Sequence, residues 1–137
     1  MMDDELRLIE RFHGHLGPYA LLGYRMGQVA NRELGAAGKG KSAVVFTGLK
    51  PPTSCLVDGI QLSSGCTLGK GNIAVEDRGQ AAARFADKLG KWIEVSLLQA
   101  VSERIAESFR LKTEHALCHE LWKATDNALF KIERGGC

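Results

Sequence analysis

Two short segments of this 137-residue chain concentrate its reactive side chains. Near the start stands His13-Gly14-His15-Leu16-Gly17-Pro18. In mid-chain, Cys55-x-x-Asp58-x-x-Gln61 is followed by Cys66-Thr67-Leu68-Gly69-Lys70-Gly71-Asn72. Imidazole is the commonest metal ligand, and paired with thiolate it suits zinc or another divalent transition metal. If folding joins the two segments, they make a metal-binding or thiol-reactive pocket.

Cys55 follows Thr53-Ser54 on the first turn of a predicted helix. Unpaired N–H groups and the positive end of the dipole favour a thiolate there. Asp58 lies one turn on and Gln61 another, so all three can share a face. The alternative is a small buried cysteine in a core helix. His13 and His15 bracket a glycine, so the chain can bend between them; the competing reading has His13 only capping a helix C-terminus. The loop Cys66–Asn72 offers backbone N–H groups and Lys70, the ingredients of an anion-holding nest. It lacks the P-loop spacing, and a tight turn with positive φ at Gly69 and Gly71 is the rival account. His115, Cys118 and His119 share a helical stripe, but without the Glu of a His-Glu-x-x-His motif they read as a helix face. Cys137 is terminal.

These residues need elements to position them. A short amphipathic helix is expected over 4–13, ended by Gly14. Pro18 suits the first turn of a second helix reaching Leu34 and stopping at Gly35. Its apolar stripe is Leu22, Met26 and Val29, while Gly23, Gly27 and Ala30 leave a smooth side for another backbone. After the loop Gly38-Lys39-Gly40-Lys41, residues 43–47 read as a buried strand. Pro51-Pro52 breaks the chain, and Thr53 or Ser54 caps a helix to about Leu62. Residues 73–75 resume a strand, and 81–86 with 91–97 form a hairpin turning at Lys88-Leu89-Gly90. Helices over 98–110 (stripe Leu98, Val101, Ile105, Phe109) and 114–128 (Leu117, Leu121, Ala124, Ala128) follow, with a last short strand at Leu129–Ile132. The expectation is one α+β domain, a mainly antiparallel sheet with a hairpin, packed against several helices.

Bulk composition agrees. Hydrophobic content of 45% and charged content of 25% are ordinary for a globular protein. A formal net charge of +2 supplies no basic stripe for nucleic acid. No apolar run reaches the roughly 20 residues of a membrane span, and the start lacks a signal-peptide pattern. A cytoplasmic setting is expected, in which four cysteines serve as thiols or metal ligands rather than disulfides.

Phe12-His13-Gly14-His15-Leu16-Gly17-Pro18, Gly23-Tyr24-Arg25, Cys55-Leu56-Val57-Asp58-Gly59-Ile60-Gln61 and Gly65-Cys66-Thr67-Leu68-Gly69-Lys70-Gly71-Asn72 together resemble the E-subunit family of the formylmethanofuran dehydrogenases. The match runs from about Phe12 to Leu97. The resemblance implies an α+β domain, often dimeric, with a metal pocket built from the His-Gly-His and middle cysteine segments. It also implies association with molybdenum or tungsten formylmethanofuran dehydrogenases, which reduce carbon dioxide onto methanofuran and carry their pterin machinery in other polypeptides of the complex. Carried over by position, His15 and Cys55 are the leading ligands and His13 and Cys66 the next. Asp58, Gln61, Thr67, Gly69, Lys70, Gly71 and Asn72 would line the pocket. Two departures stand out: the family often has Cys where this chain has Gly17, and the C-terminal cysteine-rich zinc module of some relatives is reduced to Cys118 and Cys137.

Three functions follow as expectations. In the first, the chain is a metal-binding accessory or small enzyme of molybdenum- or tungsten-linked one-carbon redox metabolism. Asp58 moves protons and Lys70 holds an anionic group of a small-molecule ligand, in a homodimer or a larger oxidoreductase complex. In the second, Cys55 is a metal-free thiolate nucleophile of a transferase or hydrolase. In the third, the chain is a non-enzymatic dimeric module whose Gly23/Gly27 face packs on a partner.

Overall fold

A computed structural model describes residues 3–36 and 40–136. Cys137 and the Gly38-Lys39 part of the glycine/lysine loop lie outside these. The order is α1 (Asp4–His13), α2 (Pro18–Leu34), β1 (Ser42–Val45), a 3-10 turn (Thr53–Cys55), α3 (Leu56–Ser64), a second 3-10 turn (Leu68–Lys70), β2 (Ile73–Val75), β3 (Ala82–Ala86), β4 (Trp92–Leu97), α4 (Gln99–Leu111), α5 (Glu114–Lys123), α6 (Asp126–Leu129) and β5 (Phe130–Gly135). The strands form one sheet in the order β2-β1-β3-β4-β5, with β1–β2 parallel and the other pairs antiparallel. The expected α+β class and hairpin are present.

Alternation along the strands decides which face is covered. Ala43, Phe85 and Ile93 lie in one cross-strand row and Val45, Ala83 and Val95 in another, all buried with the helices in a single core. Between them Val44, Arg84 and Glu94 line up on the opposite face, where Arg84 binds Glu94 and lies 3.9 Å over the Trp92 ring. Period-two patterning thus yields a half-buried sheet with one helical layer.

Helices α1 and α2 begin and end where local chemistry predicts. Asp3 accepts from the Glu5 N–H at 2.8 Å to cap α1, Gly14 closes it with φ 98°, and Pro18 opens α2. Leu22, Met26 and Val29 are fully buried, as their spacing predicts. The smooth side of α2 is occupied within the chain, which removes it as a partner face. A Cβ at Gly23 would stand 2.1 Å from the Leu56 carbonyl oxygen, one at Gly27 1.8 Å from the Ser63 hydroxyl, and one at Gly59 1.9 Å from the Ala20 carbonyl oxygen. Helices α2 and α3 therefore meet backbone to backbone.

The structure departs from expectation mainly in the second half. Neither Thr53 nor Ser54 caps α3 with its side chain; a 3-10 turn leads in, and Cys55 itself takes the N-cap position. The expected helix over 114–128 breaks at Ala124, whose backbone is extended. The cause is long-range. The Arg25 guanidinium donates to the carbonyls of Leu121, Trp122 and Ala124 and to Asp126, holding the chain open between α5 and α6. The last strand is longer than expected because β4 pairs with it from Leu97 to Trp92. Phe109, expected in the core stripe of α4, is 40% exposed.

The α2–α3 contact makes a direct prediction. Gly59→Ala forces a methyl into backbone atoms that no rotamer change relieves, and is expected to destabilise the fold by about 3 kcal/mol. Urea unfolding followed by circular dichroism measures this; an unchanged midpoint contradicts the packing.

Candidate functional site

His13 is the last residue of α1, and Gly14 turns the chain so that His15 folds back beside it, with ring centroids 4.7 Å apart. Asp58 stands on the first turn of α3. Because α3 lies directly on α2, its start is carried to the end of α1, and His13 Nδ1 meets Asp58 Oδ2 at 2.6 Å. The two motif segments, 45 residues apart, therefore join through this bond. The His13 side chain is 10% exposed and that of Asp58 37%, and His15 is exposed.

An ionised carboxylate only accepts, so His13 Nδ1 donates to it and Nε2 carries the lone pair. A carboxylate held behind an imidazole in this way fixes the tautomer and ring angle of metal-binding histidines. Gly17, at the N-terminus of α2, completes the arrangement: a Cβ there would lie 3.0 Å from His15 Cε1, 3.5 Å from its Nδ1 and 3.8 Å from His13 Cδ2. Two imidazoles with an outer carboxylate offer two nitrogen donors, fewer than the three or four protein ligands usual for zinc. Among the described residues, no three His, Cys, Asp or Glu side chains are arranged to hold an ion.

Cys55 is half-buried beside Asp58. Burial first, and the Asp58 charge second, push its thiol up. This is opposite to the direction expected from a helix start, because desolvation and a neighbouring anion both penalise the thiolate more than a dipole end helps it. The metal-free nucleophile reading loses its activating argument.

The rest of the middle segment sits elsewhere. Helix α3 runs nine residues, so about 13 Å of helix separates Cys55 from the turn that holds Cys66. Cys66 is fully buried in the core, which takes it away from a common ion with the exposed His15. The loop is a self-satisfied turn. Asn72 accepts from the Thr67 N–H at 2.8 Å, Gln61 from Leu68 at 2.9 Å, and the Thr67 hydroxyl from Lys70 at 3.3 Å. Lys70 Nζ donates to the Gly65 carbonyl at 2.9 Å, and Gly71 (φ 72°) takes the left-handed turn that Gly69 does not need. The donors expected to hold an anion here hold the loop together instead.

The His115/Cys118/His119 stripe divides as a helix face does. Cys118 points inward to the Leu16 carbonyl at 3.6 Å, and burial pushes its thiol to about 12. His115 is exposed and His119 half-buried, with ring centroids 5.1 Å apart.

One feature escaped the motifs. A cavity of about 460 Å³ is bordered by Tyr19 on the first turn of α2 and Thr53, two residues before Cys55. Gln80, Ser96, Gln99 and Ser102 line it too, and none of these six side chains has a hydrogen-bond partner among the described residues. They are scattered across five stretches of chain, so no local spacing could announce them.

Comparison with known proteins places the fold. The family model described as "FmdE, Molybdenum formylmethanofuran dehydrogenase operon" matches residues 12–133. The chain belongs to the FmdE family. This FmdE-family chain is also 35% identical over 139 aligned positions to a probable S-adenosyl-L-methionine-binding protein of Archaeoglobus fulgidus; the match takes in 90% of this chain but 38% of that relative's length. The crystal structure of a tungsten formylmethanofuran dehydrogenase FmdE-like protein from Syntrophus aciditrophicus superimposes with a TM-score of 0.71 and 24% identity, covering 96% of this chain and 70% of that one. It shares the fold. No helix among the described residues is long and apolar enough to cross a membrane.

The charge on Asp58 can be read through Cys55. In metal-free protein, iodoacetamide alkylation of Cys55 is expected to titrate above the ordinary thiol value of about 8.5. Asp58→Asn removes an anion that disfavours the thiolate, so the midpoint falls, yet stays elevated because burial is the larger cause. A midpoint unmoved by Asp58→Asn contradicts their proximity.

Proposed function

We propose that this FmdE-family chain is a metal-binding protein, an accessory or small enzyme of molybdenum- or tungsten-linked one-carbon redox metabolism, with one zinc or similar divalent ion at the His13/His15 pair. The observation that carries this reading is the Asp58–His13 Nδ1 bond, which leaves His13 Nε2 as a lone-pair donor beside a second imidazole. His13 and His15 are the protein's nitrogen donors, Asp58 orients His13, and Cys55 is the sulfur recruited when a cation offsets the penalty on its thiolate. A bound ion of this kind polarises a carbonyl or acidifies a water. Around it Asp58 holds the proton on His13 Nδ1, and the exposure of His15 admits a small-molecule ligand. Assembly as a homodimer or with a larger oxidoreductase belongs to the same proposal; Phe12, 52% exposed beside His13, is available for such a contact.

Protein purified without a histidine tag is expected to carry about one equivalent of divalent metal by elemental analysis. His13→Ala and His15→Ala abolish it with the fold intact by circular dichroism, and Asp58→Asn weakens binding by about 10- to 100-fold. Metal retained by the doubly substituted His13→Ala/His15→Ala protein overturns the reading.

A second reading is favoured by the polar cavity. Six uncommitted hydroxyl and amide side chains suit the ribose and amino-acid ends of S-adenosylmethionine, the ligand in the name of the Archaeoglobus relative. Calorimetric titration with S-adenosylmethionine should give saturable binding that Ser102→Tyr, which fills the cavity, abolishes. Absence of heat with the intact protein removes this reading.

A further inference from the structure

Past the ends of the parallel strands β1 and β2 lies a second cavity, of about 320 Å³, lined by Lys50 from one turn and Asp77 from the other. A bridge between Thr47 and Asp77 ties the two turns together, and the Gly48 N–H donates to the Glu76 carbonyl at 2.9 Å. Gly48 sits at φ 67°, and a Cβ there would stand 2.5 Å from Asp77 Oδ1, so the glycine lets that carboxylate lie close against the turn. The Lys50 carbonyl accepts from the Ser54 N–H at 3.3 Å, which holds its backbone too. Glu76 and Arg78, the neighbours of Asp77 in sequence, pair with each other at 2.6 Å. Among the described residues neither Asp77 nor Lys50 has a side-chain partner, and no ion pair joins the two although they line one cavity.

We propose that this cavity receives an α-amino-acid group, its carboxylate toward the Lys50 ammonium and its ammonium toward the Asp77 carboxylate. The charges select the class. A phosphate meets Asp77 as a like charge and a polyamine meets Lys50 as one, whereas a zwitterion satisfies both. The rest of such a ligand has a place to go. Thr53 and Gly79 also border the polar cavity of about 460 Å³, and a Cβ at Gly79 would meet no atom within 4 Å, so the shared border is open there. This rests on the S-adenosylmethionine reading above and adds to it where the amino-acid end of the ligand lies. Hydroxyls and amides of the polar cavity can hydrogen-bond such an end; the Lys50/Asp77 cavity also matches its two charges.

Calorimetric titration compares S-adenosylmethionine with its decarboxylated form, which keeps the sulfonium and the amine and lacks only the carboxylate. Wild-type protein is expected to bind the decarboxylated form more weakly by about tenfold or more. Lys50→Gln is expected to weaken S-adenosylmethionine by a similar factor and to leave the decarboxylated form unchanged, while Asp77→Asn weakens both. Both side chains are exposed, so circular dichroism should show an intact fold in each variant. Three results overturn the inference while leaving the polar-cavity reading standing: a wild type that binds the decarboxylated form as tightly or more tightly, a Lys50→Gln effect that is equal on the two forms or absent from both, and an Asp77→Asn protein that binds both as the wild type does. Wild-type protein that binds neither form removes both.

Discussion

Everything at the site depends on how closely α2 and α3 approach. With glycine at 23, 27 and 59, atoms of each helix occupy the volume where the other's side chains would stand. Dispersion contacts between the two backbones are correspondingly dense, and the geometry has almost no freedom to relax. The start of α3 is thereby fixed against the end of α1, and His13 and Asp58 come within hydrogen-bond distance across 45 residues.

The same packing explains the division of the middle motif. Helix α3 is a rod, and a rod pinned to α2 along its length presents its two ends to different places. Cys55 and Asp58 stand at the end near the imidazoles, whereas Cys66 and the Thr67–Asn72 turn stand at the other, where side-chain hydrogen bonds close the loop on itself. Residues that look like one constellation in sequence therefore do two jobs. One end assembles polar groups toward solvent; the other seals the core with a buried cysteine and a turn.

Arg25 is a counterpart on the opposite side of α2. Its guanidinium, 11% exposed, takes three carbonyls and one carboxylate from the α5–α6 break. A planar fork with five donors can satisfy several acceptors that a helix end leaves unpaired, which is why arginine rather than lysine suits the place. In this way α2 organises the chain's first third through glycine contacts and its last third through one charge, while the polar cavity opens between its start and the β3–β4–α4 edge.

Local chemistry was sufficient for a good deal. Helices α1 and α2, the 73–75 strand, the β3–β4 hairpin and the α+β class were legible because caps, prolines and apolar periodicity act over a few residues. So was the candidacy of His13, His15, Cys55 and Asp58, since residue type alone restricts the chemistry. Tertiary structure decided what those groups can do. It joined His13 to Asp58, buried Cys55 enough to raise its thiol, removed Cys66 to the core and committed the Lys70 loop to its own turn. It also broke the helix after Lys123 through an arginine 99 residues from the carbonyl it holds at Ala124. The physical reason is the same in each case: hydrogen bonds and desolvation are set by what lies within a few ångströms in space, and sequence spacing reports such neighbours only along a single helix or strand.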